Sequence, residues 1–243
     1  MQRSVFGTDG IRGRVGLEPV TPLSLIKIGF CFAKEMFGDD KGTVIIGHDG
    51  RESADMIIKN LSIGISSQGS EVKNTGLIST PSLAVYLNIK SIESVVGIQV
   101  TASHNSYEDN GMKFFNHTGI KISQMNENNI DRLFYDLENV NYQNVIVRKS
   151  DISIKETYLK FIKNYILTKL PTLLKSSKKL SITLDCANGA LSESINEILD
   201  ILPVKYSVHN QKPNGKNIND NCGSTKINCL CNIISDLNRK DSE

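Results

Sequence analysis

The densest group of chemically useful side chains lies in the segment TASHNSYEDNGMKFF, residues Thr101–Phe115. It contains a hydroxyl at Ser103, an imidazole at His104, a carboxylate at Asp109 and an ammonium at Lys113. The segment follows an apolar run typical of a buried strand, and ligands in open α/β sheets bind at the carboxyl ends of strands. A serine in this place can form a phosphate ester and pass it on, with Lys113 as acid, base or charge clamp.

Two other interpretations of this segment compete with phosphoryl transfer. Serine, asparagine, aspartate and glycine are ordinary loop residues, so a solvated loop without catalytic function explains the composition as well. A Ser/His hydrolase is disfavoured, because no G-x-S-x-G elbow is present and the adjacent side chains of Ser103 and His104 diverge in an extended loop.

A second candidate segment is FGTDGIRG, residues Phe6–Gly13, in which glycines surround Asp9 and Arg12. Backbone N–H groups and the Arg12 guanidinium could converge there on an anion, which predicts a flexible anion-binding loop. The alternative is a glycine-rich entry loop with a surface arginine. A dinucleotide site is excluded, because the spacing is not G-x-G-x-x-G and no strand is predicted before it.

The elements around these segments predict an α/β fold: an αβα sandwich domain with a mixed, largely parallel sheet, followed by a second α/β domain of similar build. Short apolar runs typical of strands alternate with stretches of helical length. In the first part we predict helices at 23–37, 53–68 and 126–137, a further helix that follows a turn at 80–81 and runs through 87, and strands at 43–49, 94–100 and 112–115.

A second α/β unit is predicted after a connecting segment at 140–150. It has helices at 154–170, 191–202 and 227–237 and strands at 180–185 and 204–208. We place the boundary near residue 150, which gives domains 1–150 and 151–243.

Composition limits the classes of partner. The chain has 28 basic and 26 acidic residues, a net charge of +2, so no field favours binding to nucleic acid. No apolar run is long enough to cross a membrane, and no signal peptide is predicted. The odd number of cysteines, 5, is typical of a reducing compartment, and we expect a cytoplasmic protein.

Four segments in order, FGTDGIRG, TASHN with DNGMKFF, LDCANGA and PNGKNIN-x-x-CGST, resemble the α-D-phosphohexomutase superfamily. The sequences of these segments are similar to those of the bacterial phosphoglucosamine mutases, and the chain resembles the N-terminal half of such an enzyme. The resemblance implies an isomerase that interconverts glucosamine 6-phosphate and glucosamine 1-phosphate through a bisphosphorylated sugar. The product would feed UDP-N-acetylglucosamine and cell-wall precursor synthesis.

The resemblance also implies roles for individual residues. Ser103 matches the serine that carries phosphate, His104 and Lys113 lie in the motif beside it, and Arg12 matches the arginine that contacts the phosphoserine region. Lys113 would act as general base or acid. The implied cofactor is Mg²⁺, with Ser103 as a ligand through its phosphate and a hexosamine phosphate as substrate.

The chain departs from the family pattern in three places. Ser106 replaces the proline of the usual SHNP, and Gly50 replaces a threonine, which leaves the contribution of Arg51 open. The aspartate-rich metal loop expected after the helix at 227–237 is absent, and the chain reads DLNRKDSE. We therefore expect this chain alone to lack mutase activity.

Several alternatives stay open. The protein is an inactive fragment or remnant that keeps only the fold and the phosphate-carrier loop, or it acts on mannose or glucose phosphate. Its protein partner would be a separate C-terminal half or a second copy in a homodimer.

Overall fold

A computed structural model describes residues 4–141, 150, 153–171 and 180–240. The described chain forms, in order, β1 (Ile11–Arg14), α1 (Pro22–Phe37), β2 (Thr43–His48), α2 (Ala54–Gln68), β3 (Glu71–Leu77), α3 (Thr80–Lys90), β4 (Val95–Val100), β5 (Asp109–Phe115), α4 (Gln124–Asp136), α5 (Ile154–Lys169), β6 (Leu180–Asp185), a 3₁₀ turn (Ala190–Glu193), α6 (Ile195–Leu199), β7 (Val204–His209) and α7 (Ile227–Lys240).

The first sheet has five strands in the order β1-β5-β4-β2-β3. Strands β3, β2 and β4 pair in parallel, and β5 and β1 add antiparallel pairs at one side. The predicted α/β fold with a mixed sheet is confirmed. Within this sheet, parallel pairing is confined to β3, β2 and β4, whose connections contain helices, as crossover geometry requires.

Helices cover both faces of this sheet. Alternate strand residues such as Val44 and Ile98 pack with α1, α2 and α4 in one apolar core. On the opposite face Ile45 and Phe115 pack with Leu83 of α3. Because successive strand side chains point to opposite faces, β2 and β4 read as continuous apolar runs and are buried on both sides.

The second sheet contains the parallel pair β6–β7. None of the strand residues in this pair is fully buried, although parallel strands are usually covered on both faces. The domain boundary near residue 150 stays a prediction, because residues 142–149 and 151–152 on either side of it lie outside the described residues. Ile154, at the start of α5, packs into the α3 side of the first core.

Two local predictions were wrong, and one strand was not predicted. The second half of the predicted loop 6–13 is strand β1, because its backbone pairs with β5 in the register Ile11↔Met112. Strand β3 was not predicted, since an edge strand with the sequence EVKNTGL lacks a clear apolar pattern. The predicted helix 191–202 divides into a 3₁₀ turn and the short α6, consistent with the preference of its serines for caps and turns.

No helix in the described parts of the chain combines the length and apolar character needed to cross a membrane.

Candidate functional site

The Ser103 segment begins where two parallel strands end side by side. Strands β2 and β4 pair to their last residues, His48 and Val100, so the residues that follow them are neighbours. Thr101 donates its hydroxyl to Asp49 Oδ2 at 2.7 Å, and the Ser103 amide donates to Thr101 Oγ1 at 3.0 Å. The chain of hydrogen bonds runs from a buried carboxylate to the backbone of the candidate nucleophile.

The buried guanidinium of Arg51 binds the backbone of the Ser103 loop. Its side chain is 0% exposed, and its Nε donates to Asp49 Oδ2 at 3.0 Å. Its Nη2 donates to the Ser103 carbonyl at 2.9 Å, and its Nη1 donates to the carbonyls of Asp109, at 3.0 Å, and Ser106. One planar fork therefore fixes three points of the loop, a geometry that lysine cannot reproduce.

Ser103 itself lies at the tip of this arrangement. Its φ of 56° is in the left-handed region, which costs a residue with a Cβ on the order of 1–2 kcal/mol. Both Ser103 and its neighbour His104 are exposed. The loop thus presents a hydroxyl to solvent from a backbone held in an unfavourable conformation, a feature typical of functional positions.

Ser103 and His104 line a cleft of about 440 Å³ between the two sheets. Its other walls include the start of α3 at Thr80, the last residue of β6, Asp185, and Cys186 directly after it. Burial, followed by the charge of Asp185, raises the pKa of the Cys186 thiol. A thiol with a raised pKa stays protonated at neutral pH and does not compete with Ser103 as a nucleophile.

Lys113 lies on β5 and pairs with the predicted anion loop. Its Nζ is 2.6 Å from Asp9 Oδ2, with side-chain exposures of 20% for Lys113 and 53% for Asp9. The hydrogen bond from Lys113 holds the pKa of Asp9 below its usual value of 3.8, against a smaller opposing effect of burial. Lys113 therefore directs its Nζ toward Asp9 of the N-terminal loop.

Arg12 lies elsewhere. It lines a separate cleft of about 760 Å³ between the N-terminal segment, α1 and α4, together with Lys27 and Phe134. Of the predicted site residues, the structure places Ser103 and His104 in one cleft. Lys113 and Arg12 are not among the residues that line it.

The sequence alone leaves Arg51 open and does not single out Asp49. The signal was present in HDGRES, an acidic and a basic residue directly after a buried strand that neighbours β4. Arginine is almost always exposed, however, so its full burial is a tertiary result that composition does not indicate.

A metal site is not formed by the described residues alone. Among residues 4–141, 153–171 and 180–240, no group of three or more histidine, cysteine, aspartate or glutamate side chains is placed to hold an ion.

We expect Arg51→Met to destabilise the protein by about 3–5 kcal/mol, because Asp49 would keep a buried charge without its cation. Urea unfolding followed by circular dichroism measures the change. The matched control is Arg14→Met, which breaks an ion pair with Glu108 of 2.9 Å whose partners are 59% and 44% exposed. That change should cost less than about 1 kcal/mol. Equal effects of the two substitutions would contradict the role given to Arg51.

The Asp9–Lys113 pair predicts a pH dependence. Because the pKa of Asp9 is lowered in the folded protein, the pair stabilises the fold above the usual carboxyl pKa and loses this effect as pH falls through the lowered value. We expect Lys113→Met to raise the titration midpoint of the Asp9 carboxyl in a ¹³C NMR titration.

The control for this titration is Lys121→Met, since Lys121 acts on Asp9 only through its charge. It should raise the midpoint by less. A midpoint unchanged in Lys113→Met would show that the ion pair does not form in solution.

Comparison with known proteins identifies the family of this chain. A family model for phosphoglucomutase/phosphomannomutase, alpha/beta/alpha domain I, matches residues 3–141. This range includes the Ser103 loop, Arg51, Asp9 and Lys113, and it ends before α5.

Curated relatives extend the match to most of the chain. A phosphoglucosamine mutase of Buchnera aphidicola subsp. Baizongia pistaciae is 34% identical over 238 residues, which cover 94% of this chain and 49% of the relative. That of Ectopseudomonas mendocina is 36% identical over 231 residues, covering 95% and 50%. The chain spans about half the length of the curated relatives it matches.

Solved structures share the fold. A crystal structure from Thermus thermophilus aligns with a TM-score of 0.71 at 23% identity, covering 87% of this chain and 46% of its own. A phosphoglucomutase/phosphomannomutase family protein from Burkholderia thailandensis aligns with a TM-score of 0.65 at 20% identity, covering 85% and 43%. Because the domain I model matches residues 3–141, more than half of this chain, the chain belongs to the phosphoglucomutase/phosphomannomutase family.

Proposed function

We propose that this chain carries a phosphoryl group on Ser103 and supplies it to a hexosamine phosphate in a phosphohexomutase reaction. The observation that carries the proposal is the exposed hydroxyl of Ser103, set at the end of β4 on a backbone that the buried Arg51 clamps. A rigid backbone beneath an exposed nucleophile supports transfer chemistry, which depends mainly on positioning.

The proposed reaction is a pair of phosphoryl transfers. A sugar hydroxyl attacks the phosphorus on Ser103, an O–P bond to the sugar forms and the bond from Ser103 Oγ to phosphorus breaks. The sugar hydroxyl gives its proton to a base, and Ser103 Oγ regains a proton. The sugar is then a bisphosphate, and its other phosphate returns to Ser103 in the reverse sequence.

Charge around Ser103 decides what each residue can contribute. A phosphate ester carries about −1.5 to −2 charges at neutral pH, which favours nearby cations. Lys113, paired with Asp9, is proposed as a charge clamp for the ester or as a general acid or base. His104, exposed beside Ser103, is proposed as a side chain of the cleft that exchanges a proton with the sugar.

The proposed metal is Mg²⁺, which prefers near-octahedral oxygen ligands, and a phosphate on Ser103 would be one of them. Glucosamine phosphate is the proposed sugar because the matched curated relatives are phosphoglucosamine mutases. The reaction would belong to UDP-N-acetylglucosamine synthesis in the cytoplasm.

The proposal predicts where phosphate attaches. After incubation with glucosamine 1,6-bisphosphate or glucose 1,6-bisphosphate, we expect intact-mass and phosphopeptide analysis to place one phosphate on Ser103 and none in Ser103→Ala. The matched control is Ser106→Ala, a hydroxyl in the same exposed loop, which should accept phosphate normally. Phosphate found on Ser53 or Ser106 instead would refute the assignment of the carrier.

Turnover should depend on the part of the relatives that this chain does not match. We expect the purified chain to show no conversion of glucosamine 6-phosphate with Mg²⁺ and a bisphosphate activator, because positioning of the sugar phosphate is most of the catalysis. Adding a separately expressed C-terminal half from a close relative should produce activity.

Robust turnover by the chain alone would contradict the division of roles proposed here. Absence of turnover in both assays would contradict the proposed function and favour an inactive protein.

A further inference from the structure

The segment after β7 crosses from the second sheet to the Ser103 loop. The Gly215 carbonyl accepts a hydrogen bond from the Glu52 amide at 2.9 Å, and Lys216 lies 3.1 Å from the Glu52 carboxylate. Farther along, the Asn219 side-chain amide donates to the carbonyls of Ser103 and Asn105, each at 3.0 Å. One side chain of the segment after β7 thus binds the candidate nucleophile's own backbone.

The Ser103 carbonyl is held from two sides. Arg51 Nη2 donates to it at 2.9 Å and Asn219 Nδ2 at 3.0 Å. A carbonyl oxygen has two lone pairs, so these two donors use its full capacity. Because the left-handed φ of Ser103 is unfavourable in a free chain, both donors act to keep it.

Asn219 is itself anchored. Its φ of 58° is tolerated by asparagine better than by most residues. Its backbone N–H donates to the Ala187 carbonyl at 3.0 Å. Asp185 accepts the Gly223 amide at 2.7 Å and the Ala187 amide at 2.9 Å. Burial opposes the charge of Asp185, but these hydrogen bonds outweigh it and hold its pKa below the usual range. These hydrogen bonds fix the backbone from which the Asn219 side-chain amide reaches the Ser103 loop.

We propose that Asn219 is a positioning residue for phosphoryl transfer. From the segment that follows β7, its side chain holds the Ser103 carbonyl in place. The inference rests on the proposed function for its consequence, and on the two hydrogen bonds for its geometry. It gives the second sheet a direct part in the carrier step, because the loop of Ser103 is complete only when residues 210–223 lie against it.

The decisive variant is Asn219→Asp, which keeps shape and backbone preference and replaces the donor by a carboxylate that faces two carbonyl oxygens. The matched control is Asn221→Asp. Asn221 has a φ of 49° in the same segment, is exposed, and its side chain donates to Asp220 at 3.0 Å. Both changes add one negative charge, so a difference between them isolates the contact with the Ser103 loop.

Hydrogen exchange of the full 243-residue chain provides the first readout. We expect Asn219→Asp to raise exchange of amides in residues 101–109 by about tenfold or more, as loss of two hydrogen bonds predicts. Exchange in α1 and α2 should not change, and Asn221→Asp should match the unmodified chain. Unchanged exchange in 101–109, or an equal rise in both variants, would overturn the proposal.

Should Asn219→Asp fail to fold, Asn219→Gly with the control Asn221→Gly makes the same comparison without added charge. Glycine adopts positive φ freely, so the backbone is not strained. The same rise in exchange is expected for Asn219→Gly alone.

The second readout is the rate of phosphate transfer to Ser103 from glucose 1,6-bisphosphate. Asn219→Asp should lower the saturating rate constant about tenfold or more and leave the half-saturating concentration of the donor unchanged. A structural defect would lower the competent fraction and the melting temperature instead, and that outcome would overturn the positioning role. If the unmodified chain accepts no phosphate, the proposed function fails for this chain, and hydrogen exchange alone still decides whether Asn219 holds the loop.

Discussion

The buried guanidinium of Arg51 is the interaction on which the candidate site depends. Removing an arginine from water is costly unless a counter-charge and hydrogen-bond acceptors replace the solvent. Here Asp49 supplies the charge, and the loop supplies the carbonyls of Ser103, Ser106 and Asp109. The requirement works in both directions: the loop satisfies the arginine, and the arginine fixes the loop. Ser103 can then occupy a left-handed conformation that the free chain would avoid.

Sheet topology explains why these groups meet. Parallel strands end at the same edge, so the residues after β2 and β4 become neighbours although they are far apart in sequence. The antiparallel return of β5 brings Lys113 beside β4 and pairs it through β1 with the N-terminal loop that holds Asp9. The ion pair of Lys113 and Asp9 therefore depends on the edge strands, whereas the Ser103 loop depends on the centre of the sheet. This separation is why Lys113 does not line the Ser103 cleft.

The two sheets differ in how well the described residues cover them. The first has a continuous core on both faces, and the second is a strand pair with no fully buried residue. Nevertheless, the second sheet reaches the first through residues 210–223, with contacts to Glu52 and to the Ser103 loop. A polar loop rich in asparagine suits this role, because asparagine both adopts positive φ and donates two hydrogens from its side chain.

The sequence by itself determined the fold class, most of the helices and strands of the first sheet, and the family resemblance, because apolar periodicity and short motifs are local properties. It also singled out Ser103, His104, Lys113 and Arg12, whose catalytic roles stay predictions. Only the tertiary structure decided which of these residues share a cleft, that Ile11–Arg14 is a strand, and that Arg51 and Asn219 hold the Ser103 backbone. Edge pairing, arginine burial and contacts between distant loops depend on partners far along the chain, and no local pattern encodes the partner of a hydrogen bond.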